Sequence, residues 1–582
     1  MPRERPLRPV SSETTPLPDE QEMERVPRAA ERLDSVQGHS GSGRRAALNA
    51  GLAVIAGRAV GALSRRLHLG GGTSIVGVVA QRVYPGIVAH LATQLEYGCV
   101  LITGTNGKTT TSSFITAILR DGGLRVWRNR EGSNLERGVA SSLVIRALPN
   151  GHLRRSGHAI SVLEIDEAAL PHLVQELPAR VVVFTNLFRD QLDRYGEVDS
   201  VATFWRNAIS QLPQTTTLVL NADDPGVAFL GESFTGKKVY YGIDDLALNQ
   251  LADTETARYQ VMDTRTCPRC GGEFVYDARF YSHMGHYRCP QCGLRRPEPD
   301  IRAVQVQQDA FDRQRMQVLA GTFQHEVVIP LPGLYNIYNA LAAITAARSL
   351  DVEWEPVISG IEQAKPAFGR GERVQVEGRT LRLLLAKNPT GFNEVLRTLF
   401  SQGAARHVLF VLNDNIADGR DISWIWDVDF ERAVGLTRTL VVAGTRAFDL
   451  GLRLKYAGVA EEAMTIIPPQ PLPVARETTR LQGAIAHFQN VGARLQNVGA
   501  RFISPSVPST SPASPTVSDA PVPVTSAPAR VYGLKKALDV ALEQTPVGET
   551  LFIVPTYTGL LEVHRDLEQR GLTPHYWEGD EA

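Results

Sequence analysis

The sequence predicts two α/β domains in one chain, the first interrupted by a small insert folded around a metal ion. Three observations predict this: short apolar runs that alternate with longer helical patterns, a glycine-rich loop set between one such run and a helix, and two Cys-x-x-Cys pairs inside the first domain. Alternation of this kind is the pattern of βαβ units on a parallel sheet. At 582 residues, 43% hydrophobic and 21% charged, the chain has a globular composition and, at ~100–200 residues per domain, length for about three folded units. A formal net charge of −1 gives no electrostatic reason to expect nucleic acid as a partner.

Residues 1–45 are polar, charged and proline-bearing, which predicts a disordered extension with no signal peptide and a cytoplasmic location. Residues 46–97 are expected to form an N-terminal helical segment. Its apolar run 46–63 carries Arg58 in its interior and falls short of the ~20 residues that cross a bilayer. It reads as an amphipathic helix, the alternative being a helix that lies on a membrane surface, and no transmembrane segment is expected.

The first α/β domain is expected over 98–365, with strands at 99–102, 160–165, 181–184 and 217–220 and helices from Thr109 and over 168–177. The second is expected over 366–582, with the boundary near Pro366 to Gly371 and strands at 383–385, 408–412, 439–442 and 551–554. Within it, residues of about 490–529 form a Ser/Pro-rich linker insertion. The hexapeptide Gln-Asn-Val-Gly-Ala-Arg, at 489–494 and again at 496–501, is a local duplication with no assigned role.

The glycine-rich loop is Gly104-Thr105-Asn106-Gly107-Lys108-Thr109-Thr110. Glycines permit tight turns, and successive N–H groups with the following helix N-terminus surround phosphate oxygens. Lys108 adds a positive charge, and Thr109 places a hydroxyl where magnesium needs a ligand. Magnesium also needs a carboxylate, and Glu164, at the end of an apolar strand that also bears Asp166, is the first choice.

Four of the five cysteines, Cys267, Cys270, Cys289 and Cys292, form two Cys-x-x-Cys knuckles over 262–300. Four thiolates and no open position predict a structural zinc ribbon, whose metal folds an insert too small for its own core. A metal cluster in place of a disulfide framework also fits a reducing compartment. His283 and His286 lie inside the ribbon but are not needed as ligands, and Cys99, inside a strand, is expected in the core.

In the second domain the segment from Asp414 to Trp424 carries Asp414, Asp418 and Asp421 directly after an apolar strand. α/β proteins place ligands at such strand ends. An aspartate here has the chemistry to orient a histidine as the third member of a nucleophile–base–carboxylate group.

The phosphate loop and a series of further motifs are similar to those of the Mur ligase family, in the family's order. They are Thr185-Asn186-Leu187 with Asp190 and Leu192-Asp193-Arg194-Tyr195, then Leu220-Asn221-Ala222-Asp223-Asp224-Pro225, then Gly333-Leu334-Tyr335-Asn336-Ile337-Tyr338-Asn339-Ala340. The resemblance implies a Mur-ligase-like central P-loop ATPase domain with an inserted four-cysteine zinc ribbon and a Rossmann-like C-terminal domain. It also implies ATP and magnesium as cofactors, with Asn336 and Asn339 beside the adenine. The family's lysine that carries a second magnesium is absent, since residues 201–207 read Val-Ala-Thr-Phe-Trp-Arg-Asn.

Within the family, the chain resembles the MurT branch, the synthetase subunits of the enzyme that amidates lipid II. The segments responsible are Glu131-Gly132-Ser133-Asn134, Glu164-Ile165-Asp166-Glu167, Phe188-Arg189-Asp190-Gln191, the run from Lys387 to Glu394 and the run from Leu412 to Trp424. This resemblance covers roughly 56–559 apart from the linker. It implies ATP-dependent amidation of the D-glutamate α-carboxylate of lipid II to D-isoglutamine, through an acyl phosphate. It implies a heterodimer in which a GatD-type glutamine amidotransferase supplies ammonia and Asp421 completes its triad, and a site at the inner face of the membrane. Lys108, Glu164 and Asp421 are then the catalytic candidates; the competing expectation is a conventional amino-acid ligase without a glutaminase.

Overall fold

The computed structural model describes residues 44–66, 73–129, 134–154, 156–190, 198–251, 262–308, 313–366, 368–469 and 534–573. The expected N-terminal extension up to residue 43, the Ser/Pro-rich insertion, the repeated hexapeptide and the motif residues 131–133 and 191–195 lie outside them.

Helices α1 (Arg44–Arg66), α2 (Thr73–Val83) and α3 (Ile87–Ala92) come first. They are followed by β1 (Cys99–Thr103), α4 (Lys108–Asp121), β2 (Arg125–Arg128), α5 (Glu136–Arg146), β3 (Ala159–Glu164), α6 (Leu170–Glu176) and β4 (Ala179–Phe184). Next come α7 (Val198–Ile209), β5 (Thr217–Asn221), α8 (Pro225–Leu230) and β6 (Lys238–Ile243). A hairpin, β7 (Val275–Tyr281) and β8 (Met284–Arg288), then precedes a meander of β9 (Ile301–Gln308), β10 (Gln314–Ala320) and β11 (Phe323–Ile329), closed by α9 (Leu334–Ser349) and α10 (Trp354–Glu362).

These strands, apart from the hairpin, make one nine-stranded sheet in the order β11-β10-β9-β6-β5-β4-β1-β3-β2, parallel from β9 to β2 and antiparallel across β9, β10 and β11. Strands β1, β3 and β5 are buried at every position, as expected of parallel strands covered on both faces. Side chains alternate between the faces. Val100 and Ile102 join the cluster under α4, α9 and α10, while Cys99 and Leu101 join the one under α1, α2, α3 and α5.

The second sheet is built from β12 (Arg370–Val376), β13 (Arg379–Leu384), α11 (Pro389–Leu399), β14 (Arg406–Val411), β15 (Thr437–Ala443), α12 (Ala447–Tyr456), β16 (Met464–Ile466), α13 (Lys535–Glu543), β17 (Thr550–Pro555) and α14 (Tyr557–Gln569). Its order is β12-β13-β17-β14-β15-β16, parallel except for the β12–β13 hairpin.

One expectation needs correction. α1 forms, but it is not amphipathic in the ordinary sense, because its exposed face carries Leu48, Leu52, Ile55 and Leu63. Its inner face carries small residues, since Gly57 lies so close to the Val76 carbonyl of α2 that a Cβ would collide with it.

Candidate active site

β1 lies between β3 and β4, so the loops leaving all three strands converge at one edge of the sheet, the edge where open α/β sheets bind ligands. The loop after β1 opens directly into α4. Its Gly107 holds a φ of 87°, a conformation that suits glycine, and a Cβ there would strike the Asn339 carboxamide. The β4 end braces the loop: Asn106 N–H donates to Asn186 Oδ1 at 2.8 Å, Thr185 Oγ1 donates to Asn106 O at 2.8 Å, and Thr105 Oγ1 donates to Phe188 O at 3.0 Å.

Lys108 Nζ donates to Glu167 Oε1 at 2.7 Å and to the Gly104 carbonyl. Burial disfavours its charged form, but the Glu167, Asp166 and Asp190 carboxylates outweigh this and hold its pKa above the ordinary lysine value. It is therefore an ammonium held at the mouth of the phosphate loop.

Thr109 Oγ1 donates to Glu164 Oε2 at 2.8 Å. The other carboxylate oxygen, Oε1, is buried without a hydrogen-bond partner, and Arg128 Nη2 lies 3.6 Å from it. Asn129 clamps the Glu164 backbone from both sides, at 2.8 and 2.9 Å. A hydroxyl and a carboxylate this close, with one buried oxygen unsatisfied, fit a magnesium ion.

The second domain forms the facing wall. Asn388 Nδ2 donates to Asn106 Oδ1 at 3.0 Å, while Asn388 Oδ1 caps α11 through Gly391 N–H at 2.8 Å. Lys387 Nζ pairs with Asp190 Oδ2 at 2.7 Å, and Arg189 pairs with Asp427. Between the walls lies a cleft lined by Asn106, Gly107, Thr110, Asn186, Phe188, Tyr281, Tyr335, Asn339, Arg370, Lys387, Thr390 and Glu394 among others. Asn339 lines it directly. Asn336 does not; it accepts from Asn339 Nδ2 at 3.0 Å and donates to Pro332 O at 2.6 Å, and so orients its neighbour.

The four cysteine sulfurs lie within 4.8 Å of one another. Each knuckle closes through a tight turn, with Gly271 and Gly293 at φ of 76° and 78°, and the Cys292 backbone N–H holds the Cys289 thiol at about 7 against its burial. Four converging sulfurs fit a metal ion of the zinc type. His283 and His286 face away from them: His283 Nε2 is 3.2 Å from Asp224, and His286 Nε2 is 2.8 Å from Ile243 O. The hairpin docks on the nine-stranded sheet through Gly285 N–H to Asp223 O at 3.0 Å, which brings Tyr281 at its tip into the cleft. Cys99 is buried.

The aspartates after β14 separate into distinct environments. Asp418 is buried and accepts from Thr558 N–H at 2.7 Å, and burial raises its pKa. Asp414 accepts from Thr445 Oγ1 at 2.7 Å. Asp421 is exposed, and the Ser423 backbone N–H, donating at 2.8 Å, lowers its pKa. It does not line the cleft.

Sequence reasoning placed no role on Glu167, Asn186 or Tyr281. The first two stand inside the quoted motifs, so adjacency to Glu164 and Thr185 was a usable signal. Nothing in the sequence links Tyr281 to Gly107.

Profiles of known families match the chain twice: the Mur ligase middle domain over residues 102–269 and the MurT ligase C-terminal domain over 385–488. The chain is 35% identical over 409 residues to the lipid II isoglutaminyl synthase (glutamine-hydrolyzing) subunit MurT of Staphylococcus aureus (strain COL), covering 70% of this chain and 87% of that protein. It is 33% identical to the Streptococcus pneumoniae protein of the same description, covering 68% and 85%. Among solved structures, a pseudomurein peptide ligase type C from Methanothermus fervidus superposes with a TM-score of 0.53 at 20% identity, covering 82% of this chain and 79% of its own. MurF from Acinetobacter baumannii gives 0.51 at 15%, covering 84% and 80%. The last two share the fold; the first two show more, and the chain belongs to the MurT family of Mur ligases.

Proposed function

We propose that this chain is the synthetase subunit that amidates the α-carboxylate of D-glutamate in the stem peptide of lipid II, with ammonia from a GatD-type glutaminase subunit. The observation that carries the proposal is the relationship to glutamine-hydrolysing lipid II isoglutaminyl synthase subunits over most of their length, in a chain that keeps Lys108, Thr109 and Glu164 together at the phosphate loop. The reaction would take place in the cytoplasm, at the inner face of the membrane.

In the first half-reaction a carboxylate oxygen of the substrate bonds to the γ-phosphorus of ATP, and the bond to the β-phosphate oxygen breaks to release ADP. In the second, ammonia attacks the acyl carbon, the C–O bond to phosphate breaks, and the nitrogen gives up a proton. Loop N–H groups and the Lys108 ammonium would hold the transferring phosphoryl group and oppose its developing charge. Thr109 and Glu164 would hold magnesium, which neutralises phosphate charge when bound. Asn339, oriented by Asn336, would face the adenine, with Tyr281 on the same cleft wall.

Cys267, Cys270, Cys289 and Cys292 would hold a structural zinc that keeps this wall in place. Cys289→Ser is expected to release the zinc and lower the thermal midpoint by roughly 5 °C or more. Zinc content and melting temperature equal to wild type would refute the assignment. Tyr281→Ala is expected to leave zinc content unchanged and weaken ATP about tenfold, the equivalent of about 1.4 kcal/mol of lost aromatic contact. An unchanged ATP dissociation constant in calorimetry would remove Tyr281 from the nucleotide site.

The partner surface would lie beside Asp421. Phe448, Leu452 and Tyr456 recur at helical spacing on α12 and are 61%, 49% and 72% exposed, and the Trp426 ring lies 5.8 Å from that of Tyr456. Exposed aromatic residues clustered this way fit a protein interface. The deciding experiment incubates lipid II with ATP, glutamine, this chain and the glutaminase subunit, and follows stem-peptide mass. Conversion of one carboxylate to a carboxamide is expected; addition of a whole amino acid, or no change, would reject amidation.

A further inference from the structure

α1 inverts the usual arrangement of a helix on a soluble protein. Leu48, Leu52, Ile55 and Leu63 are 66%, 53%, 50% and 49% exposed, and with the exposed Ala59 and Ala62 they share one helical face. The opposite face, Ala50, Ala53, Val54, Gly57, Gly61 and Ser64, is buried. The small residues thus pack against the protein and the large aliphatic ones point to solvent, where a soluble helix places charged and polar residues. α2, packed against α1, adds exposed Ile75 and Val83.

Charge supports one kind of occupant. The α1 sequence RRAALNAGLAVIAGRAVGALSRR holds five arginines, four of them in pairs at its ends, and no acidic residue. The interior one, Arg58, donates to the Ala147 carbonyl at 3.0 Å and is used within the fold. An apolar face flanked by the exposed Arg45 near one end and Arg66 at the other fits the boundary between acyl chains and anionic headgroups. Mean hydropathy over Arg45–Ser64 reaches 1.5, but with its opposite face packed on α2 and α5 the helix lies along a bilayer surface and does not cross it.

We infer that the exposed face of α1 docks on anionic phospholipid in the plane of the membrane. The layer that carries it is tied to the phosphate site, because Asp166 N–H donates to the carbonyl of Asn134, just before α5, at 2.9 Å. The inference stands apart from the amidation reading, since its test contains no peptidoglycan precursor.

The test is sedimentation of the purified full chain with vesicles of phosphatidylglycerol and phosphatidylethanolamine, and with phosphatidylcholine vesicles as reference. Binding to the anionic vesicles is expected, falling as salt rises, and weakened about tenfold or more by Leu52→Gln with Ile55→Gln. Leu246→Gln, at a residue 64% exposed elsewhere on the first domain, is expected to bind as wild type. Leu48→Gln with Leu63→Gln repeats the test at the helix ends should the first pair perturb folding, which circular dichroism reports. Absence of wild-type binding, or equal binding by folded variants, would overturn the inference. So would a change of oligomeric state in light scattering with vesicle binding intact, which would mark the face as a contact between copies of this chain.

Discussion

Lys108→Ala is expected to lower the rate of ADP formation, measured with acceptor and ammonia present, by roughly 10³-fold or more. Lys108 opens α4 immediately after Gly107, so its amine reaches back over the loop to the Gly104 carbonyl, and Glu167 holds it there at 2.7 Å. A polyphosphate entering the loop would take the place of these acceptors, and the ammonium would then oppose the charge that develops in transfer. The same substitution leaves buried Glu167 without its cation, so a stability loss of about 3–5 kcal/mol is expected beside the loss of rate. Glu167→Gln separates the two effects: it removes the lysine's anchor but keeps the cation, so its loss of rate is expected to be much the smaller. ADP formation within tenfold of wild type in Lys108→Ala would show that the amine does not serve the phosphate.

The parallel core was legible because β1, β3 and β5 are buried along their whole length and therefore read as unbroken apolar runs. Strands β10 and β11 were not, since β10 carries polar Gln314 at a buried position and β11 exposes Gln324, His325 and Glu326 in succession, so neither presents a clean two-residue apolar period. The phosphate loop was legible because its chemistry is local in sequence. The opposite wall of the cleft was not, because Asn106 and Asn388 meet across 282 residues, and neither was Tyr281, which arrives on an insert whose own sequence speaks only of its four cysteines. The orientation of α1 was equally hidden: its composition shows an apolar helix, but which face turns inward depends on where Gly57 meets the Val76 carbonyl.

Asp421→Asn is expected to reduce glutamine-dependent amidation by roughly 10³-fold or more while leaving amidation from free ammonia close to wild type. This residue stands outside the ATP cleft and is exposed, so its replacement leaves Lys108, Thr109 and Glu164 untouched. The Ser423 N–H keeps its carboxyl below the usual carboxylate range; it therefore remains an anion wherever a histidine of ordinary pKa gains a proton, and its own titration is expected to leave no mark on the neutral limb of the pH–rate profile. A carboxamide of the same shape accepts a hydrogen bond but cannot balance an imidazolium, which is why the loss should fall on glutamine hydrolysis and not on ligation. Asp418→Asn provides the contrast, for its carboxylate is buried and holds Thr558, so its replacement is expected to lower the melting temperature and both ammonia routes together. Equal losses from glutamine and from ammonia in Asp421→Asn would place this aspartate in the synthetase reaction and dissolve the shared triad.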